Sequence, residues 1–272
     1  MVRTSILTAL IGIIGLLWNG CKGKINTKTH EEFKPFFAEQ NVEGCCMIYD
    51  PQQRVAHVYN PTLVEQPFTP ASTFKIFNSL VGLETGVIPD IDFVIPWDSV
   101  QRGNQQWNRD HDLQQAFKNS TVWYYQELAR RVGPKTMHHW LQKSRYGNAD
   151  TSGGIDQFWL RGGLRISVKG QIQFLQKLQD GKLPFSKRSV ELVKSIMHNA
   201  DTLGGIMRGK TGWGVQGQTD IGWYVGYFEK GKEVFYFANC IQTNDSNHKN
   251  FGAARVQIIY QALQSLGIAS KD

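Results

Sequence analysis

Charged side chains make up only 19% of this 272-residue chain, and it has just four cysteines. None of the cysteines forms a Cys-x-x-Cys pair or a Cys/His spacing of the metal-binding kind, so no metal is expected. Basic residues outnumber acidic ones, 30 to 23, giving a formal charge of +7. Yet no Lys/Arg cluster stands beside a nucleic-acid motif, which excludes nucleic acid as a partner and leaves a soluble basic protein. No block is repetitive or of low complexity. The N-terminal apolar run Ile6–Trp18 is too short to span a bilayer comfortably.

That run reads instead as the h-region of an export signal, with Arg3 supplying the positive n-region. Trp18-Asn19-Gly20-Cys21 has the Gly-Cys end of a bacterial lipobox but not its usual aliphatic and small residues at the first two positions. Simple cleavage and a lipid anchor through Cys21 are both open. The expectation is a signal peptide over 1–21 and one catalytic domain over 22–272, periplasmic or membrane-anchored facing the periplasm. Cys45, Cys46 and Cys240 then remain, either with one disulfide among them or as buried free thiols.

Strand-like runs lie at both ends of the chain. Cys45–Tyr49 and Val55–Tyr59 flank the turn sequence Asp50-Pro51-Gln52-Gln53, and Glu31–Ala38 before them reads as a short helix. Gly205–Lys210, Gly222–Phe228 and Val234–Ile241 read as an antiparallel meander, closed by an apolar helix over Ala253–Leu266. Between Pro70 and Leu183 the pattern is mainly helical, clearest over Ala116–Arg131 and Gln171–Leu178, with Ser189–Met197 a further helix. The fold class expected is α+β: an antiparallel sheet built from both ends and flanked by helices, beside an all-helical subdomain over 70–183.

The chemistry is concentrated in Ser72-Thr73-Phe74-Lys75. Thr69-Pro70 before it is a helix opening, and Gly86 is the expected stop. On a helix, residues i and i+3 share a face, so the Lys75 amine reaches the Ser72 hydroxyl, a poor nucleophile until a base takes its proton. Three further segments follow in order: Ser120-Thr121-Val122 at a helix start, Tyr146-Gly147-Asn148 in a turn, and Lys210-Thr211-Gly212 ending a strand before Trp213. Each alone is an ordinary N-cap, turn or strand end. Their joint order is not, since S-x-x-K with a downstream K-T-G marks a group of serine enzymes.

With these residues in view the chain resembles the class D β-lactamases, the oxacillinase family, from about Phe68 to Arg255. The resemblance includes Gly82-Leu83-Glu84-Thr85-Gly86, Trp107-Asn108 and Gly154-Ile155-Asp156-Gln157-Phe158-Trp159-Leu160. Thr151-Ser152 lengthens the loop after Tyr146-Gly147-Asn148, and Cys45-Cys46 is unusual for the first strand.

The resemblance implies hydrolysis of small-molecule β-lactams through an acyl-enzyme on Ser72, with no cofactor beyond carbon dioxide-derived N-carboxylation of Lys75. An unperturbed lysine, at a pKa of about 10.4, is cationic near neutrality; burial among Phe74, Phe77, Val122, Trp159 and Leu160 would favour the neutral amine. Trp159, whose indole N–H is a donor only, would hold the carboxylated lysine. Ser120 would pass the proton toward the β-lactam nitrogen. Lys210, Thr211 and Arg255 would meet the substrate carboxylate, Gly212 would let the strand approach the acyl group, and Val122 and Tyr146 would line the cleft. The N–H groups of Ser72 and Trp213 would form the oxyanion hole. Two related readings are a penicillin-binding transpeptidase and a β-lactam-sensing domain that stays acylated.

Overall fold

The computed structural model describes residues 25–245 and 247–270. The expected signal segment and Cys21 lie outside the described residues. In chain order the elements are β1 (Asn26–Thr29), α1 (Lys34–Ala38), β2 (Glu43–Asp50), β3 (Val55–Tyr59), α2 (Pro61–Glu65) and β4 (Pro67–Phe68). There follow α3 (Lys75–Glu84), α4 (Leu113–Lys118), α5 (Val122–Val132), α6 (Pro134–Ser144), β5 (Ile166–Ser167) and α7 (Val168–Gln179). The chain closes with α8 (Lys187–Ile196), β6 (His198–Thr202), β7 (Gly205–Gln216), β8 (Thr219–Lys230), β9 (Glu233–Thr243) and α9 (Phe251–Ser265).

Seven strands form one sheet in the order β1-β3-β2-β9-β8-β7-β6, so both ends of the chain meet at the β2/β9 pair. Every pairing in it is antiparallel except β1 with β3, which is parallel. Between β1 and β3 the chain passes through α1 and β2, a connection long enough to let the two strands run parallel. The sheet is therefore mixed at one edge, where a purely antiparallel one is expected from the hairpin signals.

Both faces are buried. Along β2, Cys45, Met47 and Tyr49 join the core beneath α3 and α7, while Cys46 and Ile48 join a second core with Phe33, Phe37 and the apolar face of α9. Period-two alternation explains the split, and burial on both faces explains why these strands read as unbroken apolar runs. Cys45 pairs directly with Cys240 across β2 and β9, and all three described thiols are free and buried. Burial pushes Cys46 up to about 12, and Cys45 and Cys240 well above the usual thiol range.

Three elements depart from the sequence reading. The run Ala116–Arg131 is two helices, because Ser120 takes a left-handed backbone (φ 54°) and Thr121 N–H turns back to the Ala116 carbonyl at 2.9 Å. β7 does not end at Lys210-Thr211-Gly212 but runs on to Gln216, extended by pairing with β8. β6 carries no apolar alternation to announce it, being a polar edge strand with an irregular register at its start.

Candidate active site

Ser72 sits on a 3-10 turn, Ala71–Phe74, that leads into α3. Pro70 caps that turn, and α3 ends where expected, with Gly86 at φ 70° just past its last residues. Ala71, immediately before Ser72, has φ 47°, a strained conformation for a residue with a Cβ. It is held there because its N–H donates to the Trp159 carbonyl at 3.0 Å, while Thr69 Oγ1 donates to the same carbonyl at 3.2 Å.

Lys75 Nζ donates to Ser72 Oγ at 2.7 Å. The lysine is fully buried and its amine lies over the Tyr125 ring, 5.3 Å from the centroid. Burial first, and the nearby Lys210 charge second, hold its pKa well below the ordinary lysine range. Tyr125 is fixed in turn by Ser79, whose Oγ lies 3.0 Å from the Tyr125 hydroxyl and donates to the Lys75 carbonyl at 2.7 Å. Neither Tyr125 nor Ser79 was legible as a site residue; the available signal is that both fall one helical turn from a motif residue, Val122 and Lys75.

The opposite wall is β7. By period-two alternation Lys210 shares a face with Gly212 and Gly214. A Cβ on Gly212 would meet Pro70 O and Thr73 Cγ2, each at 3.1 Å, and one on Gly214 would meet Ala71 Cβ at 3.0 Å. The two glycines thus let the strand press against the Ser72 turn itself. Gly209 N–H points off the strand edge to the Met197 carbonyl at 2.8 Å, and alternation carries the N–H groups of Thr211 and Trp213 to that same edge.

Lys210 is buried, with Nζ donating to the Thr211 carbonyl at 3.1 Å; burial and the Arg255 charge bring its pKa down to about 7. Arg255 donates through Nη1 to the Gly212 carbonyl at 2.6 Å and through Nε to the Gly252 carbonyl at 3.0 Å. Burial lowers its pKa to about 10, so it keeps its charge at neutral pH. Its guanidinium lies 5.7 Å from the Trp213 ring centroid, and the exposed Trp213 indole is tied to Asp220 Oδ1 at 2.6 Å. Arg255, and Lys210 when protonated, therefore bring positive charge together on β7, an arrangement able to receive an anion.

Ser120 sits half-buried on its left-handed turn between α4 and α5, and Val122 opens α5. Trp107 braces that turn by donating to the Asn119 carbonyl at 3.0 Å, and Trp123 donates to the Trp107 carbonyl at 2.7 Å. Trp159 is buried and stacks on Phe74 at 5.3 Å, which places it against the residue between Ser72 and Lys75.

Tyr146 is the residue the structure does not bring to the cleft. It is 1% exposed and packs against Phe74, Phe77 and Phe174, with ring centroids 4.9 to 5.7 Å apart. Its hydroxyl neighbours Thr73 and Gln171, and Gln171 Nε2 donates to Thr73 Oγ1 at 2.9 Å. The rest of its motif is equally structural. A Cβ on Gly147 would lie 2.2 Å from Arg165 O, and Asn148 bridges the Gly163 carbonyl and the Arg165 N–H. The motif anchors the loop carrying Trp159 behind α3, so Tyr146 supports the start of that helix from within the core.

The family described as penicillin binding protein transpeptidase domain matches residues 44–264. β-Lactamase OXA-48 of Klebsiella pneumoniae is 41% identical over 209 residues, 77% of this chain and 79% of that protein. The crystal structure of the class D β-lactamase YbXI from Nostoc superposes with a TM-score of 0.83 at 42% identity, covering 87% of this chain and 98% of that one. The C-terminal domain of the Bacillus licheniformis BlaR penicillin receptor superposes with a TM-score of 0.84 at 32% identity, covering 90% and 98%. With this fold, this order of motifs and this likeness, the chain belongs to the class D serine β-lactamase family.

Proposed function

We propose that Ser72 is the nucleophile of β-lactam hydrolysis, and that Lys75, once N-carboxylated, provides the anionic base for both acylation and deacylation. The observation that carries this reading is the 2.7 Å contact between Ser72 Oγ and a fully buried lysine amine. An amine takes up carbon dioxide only when uncharged, and burial of Lys75 shifts it toward that form by lowering its pKa. Trp159, a donor-only indole on the same wall, is the residue suited to hold the added carboxylate.

The chain's own groups do the rest. The substrate carboxylate is drawn to Lys210 and Arg255, with Thr211 beside them. The N–H groups of Ser72 and Trp213 stabilise the oxyanion, a contribution of about 3 kcal/mol per donor in comparable sites. Ser120, on its braced turn, relays the proton to the departing ring nitrogen, and Val122 contributes to substrate binding. Residues 1–21 act as an export signal, with Cys21 the candidate lipid attachment point and the periplasm the destination; the mass of the mature N-terminus tests this.

A second reading, a sensor that is acylated and stays so, is supported by the likeness to the BlaR penicillin receptor domain. Mass spectrometry after mixing with benzylpenicillin separates the two. An adduct on Ser72 that disappears within seconds to minutes supports the enzyme; a stable adduct supports the sensor, and no adduct contradicts both.

A further inference from the structure

A cavity of about 350 Å³ opens beside the anion-receiving end of the cleft, between α4, the end of α8, the start of β6 and the free edge of β7. Lys210 and Thr211 line both it and the active site, so the two spaces share a wall. Gln114 and Lys118 come from α4, and His198 and Asn199 from β6; among the described lining residues there is no Asp or Glu. Lys118 closes the last turn of α4, and no ion pair joins it to a carboxylate among the described residues. His198 pairs with Asp201 at 2.8 Å, and Asn199 Oδ1 accepts from the Tyr224 hydroxyl at 3.4 Å. Phe117 forms the apolar floor, its ring centroid 5.6 Å from Lys210 Nζ.

The chemistry of the substrate decides what can enter. In a cephem the carbon bearing the carboxylate is bonded to the carbon bearing the C3 arm. A carboxylate held at Lys210 and Thr211 therefore delivers that arm within a few bonds of the same two residues. A penam has no such arm. From this placement, and resting on the proposed site assignment, we infer that the cavity is a specificity subsite for the arm next to the substrate carboxylate. Lys118, with the Gln114 and Asn199 amides, selects a polar or anionic arm there.

The test compares two cephalosporins with one common acylamino side chain, one carrying a C3 methyl and the other a C3 arm ending in a sulfonate. Second-order acylation rates are read by rapid-quench mass spectrometry, each divided by the benzylpenicillin rate. Reading acylation keeps the test valid whether or not the adduct turns over. The wild type acylates faster with the sulfonate arm by about threefold, the scale of a partly exposed ion pair, and the preference shrinks in high salt. Lys118→Glu inverts it. Asn199→Asp, which adds charge from β6 with almost no change of shape, inverts it independently. An anionic-to-neutral ratio that stays the same in the wild type and both variants overturns the subsite while leaving the Ser72 reading intact. No acylation by any of the three compounds overturns both.

Discussion

Lys75 Nζ lies 2.7 Å from Ser72 Oγ, with no solvent exposure on the lysine and the Tyr125 ring behind it. Burial of the lysine, which lowers its pKa, and its contact with Ser72 separate this S-x-x-K from an N-cap serine followed by a surface lysine, and they support the proposed pairing of a nucleophile with its base.

Removing the amine removes the base. Lys75→Ala is expected to lower penicillin turnover by at least about 10³-fold, the scale of losing the activating base of a serine nucleophile. Lys75→Met should also raise the melting temperature. Burial lowers the native amine's pKa below the unfolded value of about 10.4, so its cost to the fold grows as pH falls from that value and is full below the lowered pKa. Steady-state kinetics and thermal unfolding at pH 7.5 check both. Near wild-type activity would rule out the assigned base.

The pH profile follows from two lysines that must differ in charge. Lys75 works when deprotonated, so kcat/KM rises with pH through its depressed ionisation. Lys210 attracts the substrate carboxylate when protonated, so kcat/KM falls as pH rises through about 7. Lys210→Arg keeps its charge at high pH and should flatten the alkaline limb while lowering the maximum. An alkaline limb that persists unchanged in that variant assigns it to another group.

How much of this was readable in advance depends on whether a residue's role is local. Ser72, Lys75, Ser120 and Lys210 are legible because helix spacing and short motifs report local geometry. The β2–β3 hairpin and the β7–β9 meander are legible because turn residues separate apolar runs. Tyr146 was misplaced because its motif says where the chain turns but not which way the ring points; only the packing of Phe74, Phe77 and Phe174 decides that. Tyr125 was missed for a related reason, since it meets Lys75 and Ser79 only through tertiary packing, whereas Ser79 lies one helical turn from Lys75 and only that spacing could have pointed to it. β6 escaped because an edge strand buries little.

Tyr146 therefore behaves as a core residue under mutation. Tyr146→Ala should destabilise the fold by about 3–5 kcal/mol, the range for truncating a buried aromatic. Tyr146→Phe, which keeps the packing, should retain most stability. Denaturant unfolding distinguishes this from a cleft-lining role, in which KM would rise and stability would not move.

Trp159 is expected to matter more after acylation than before it. Trp159→Ala should lengthen the acyl-enzyme lifetime by about tenfold or more while slowing acylation less, because the base is needed again for the attacking water. Time-resolved mass spectrometry reads both phases. An unchanged lifetime would remove Trp159 from the assigned role.

The most direct test of the central claim is a benzylpenicillin progress curve at mildly acidic pH, recorded with and without added bicarbonate. Sustained turnover that bicarbonate restores or enhances is the predicted result, since carbon dioxide replenishes the carboxylated form of Lys75. A single stoichiometric burst that stalls in both samples would contradict it, leaving Ser72 acylated with no competent base for the second step.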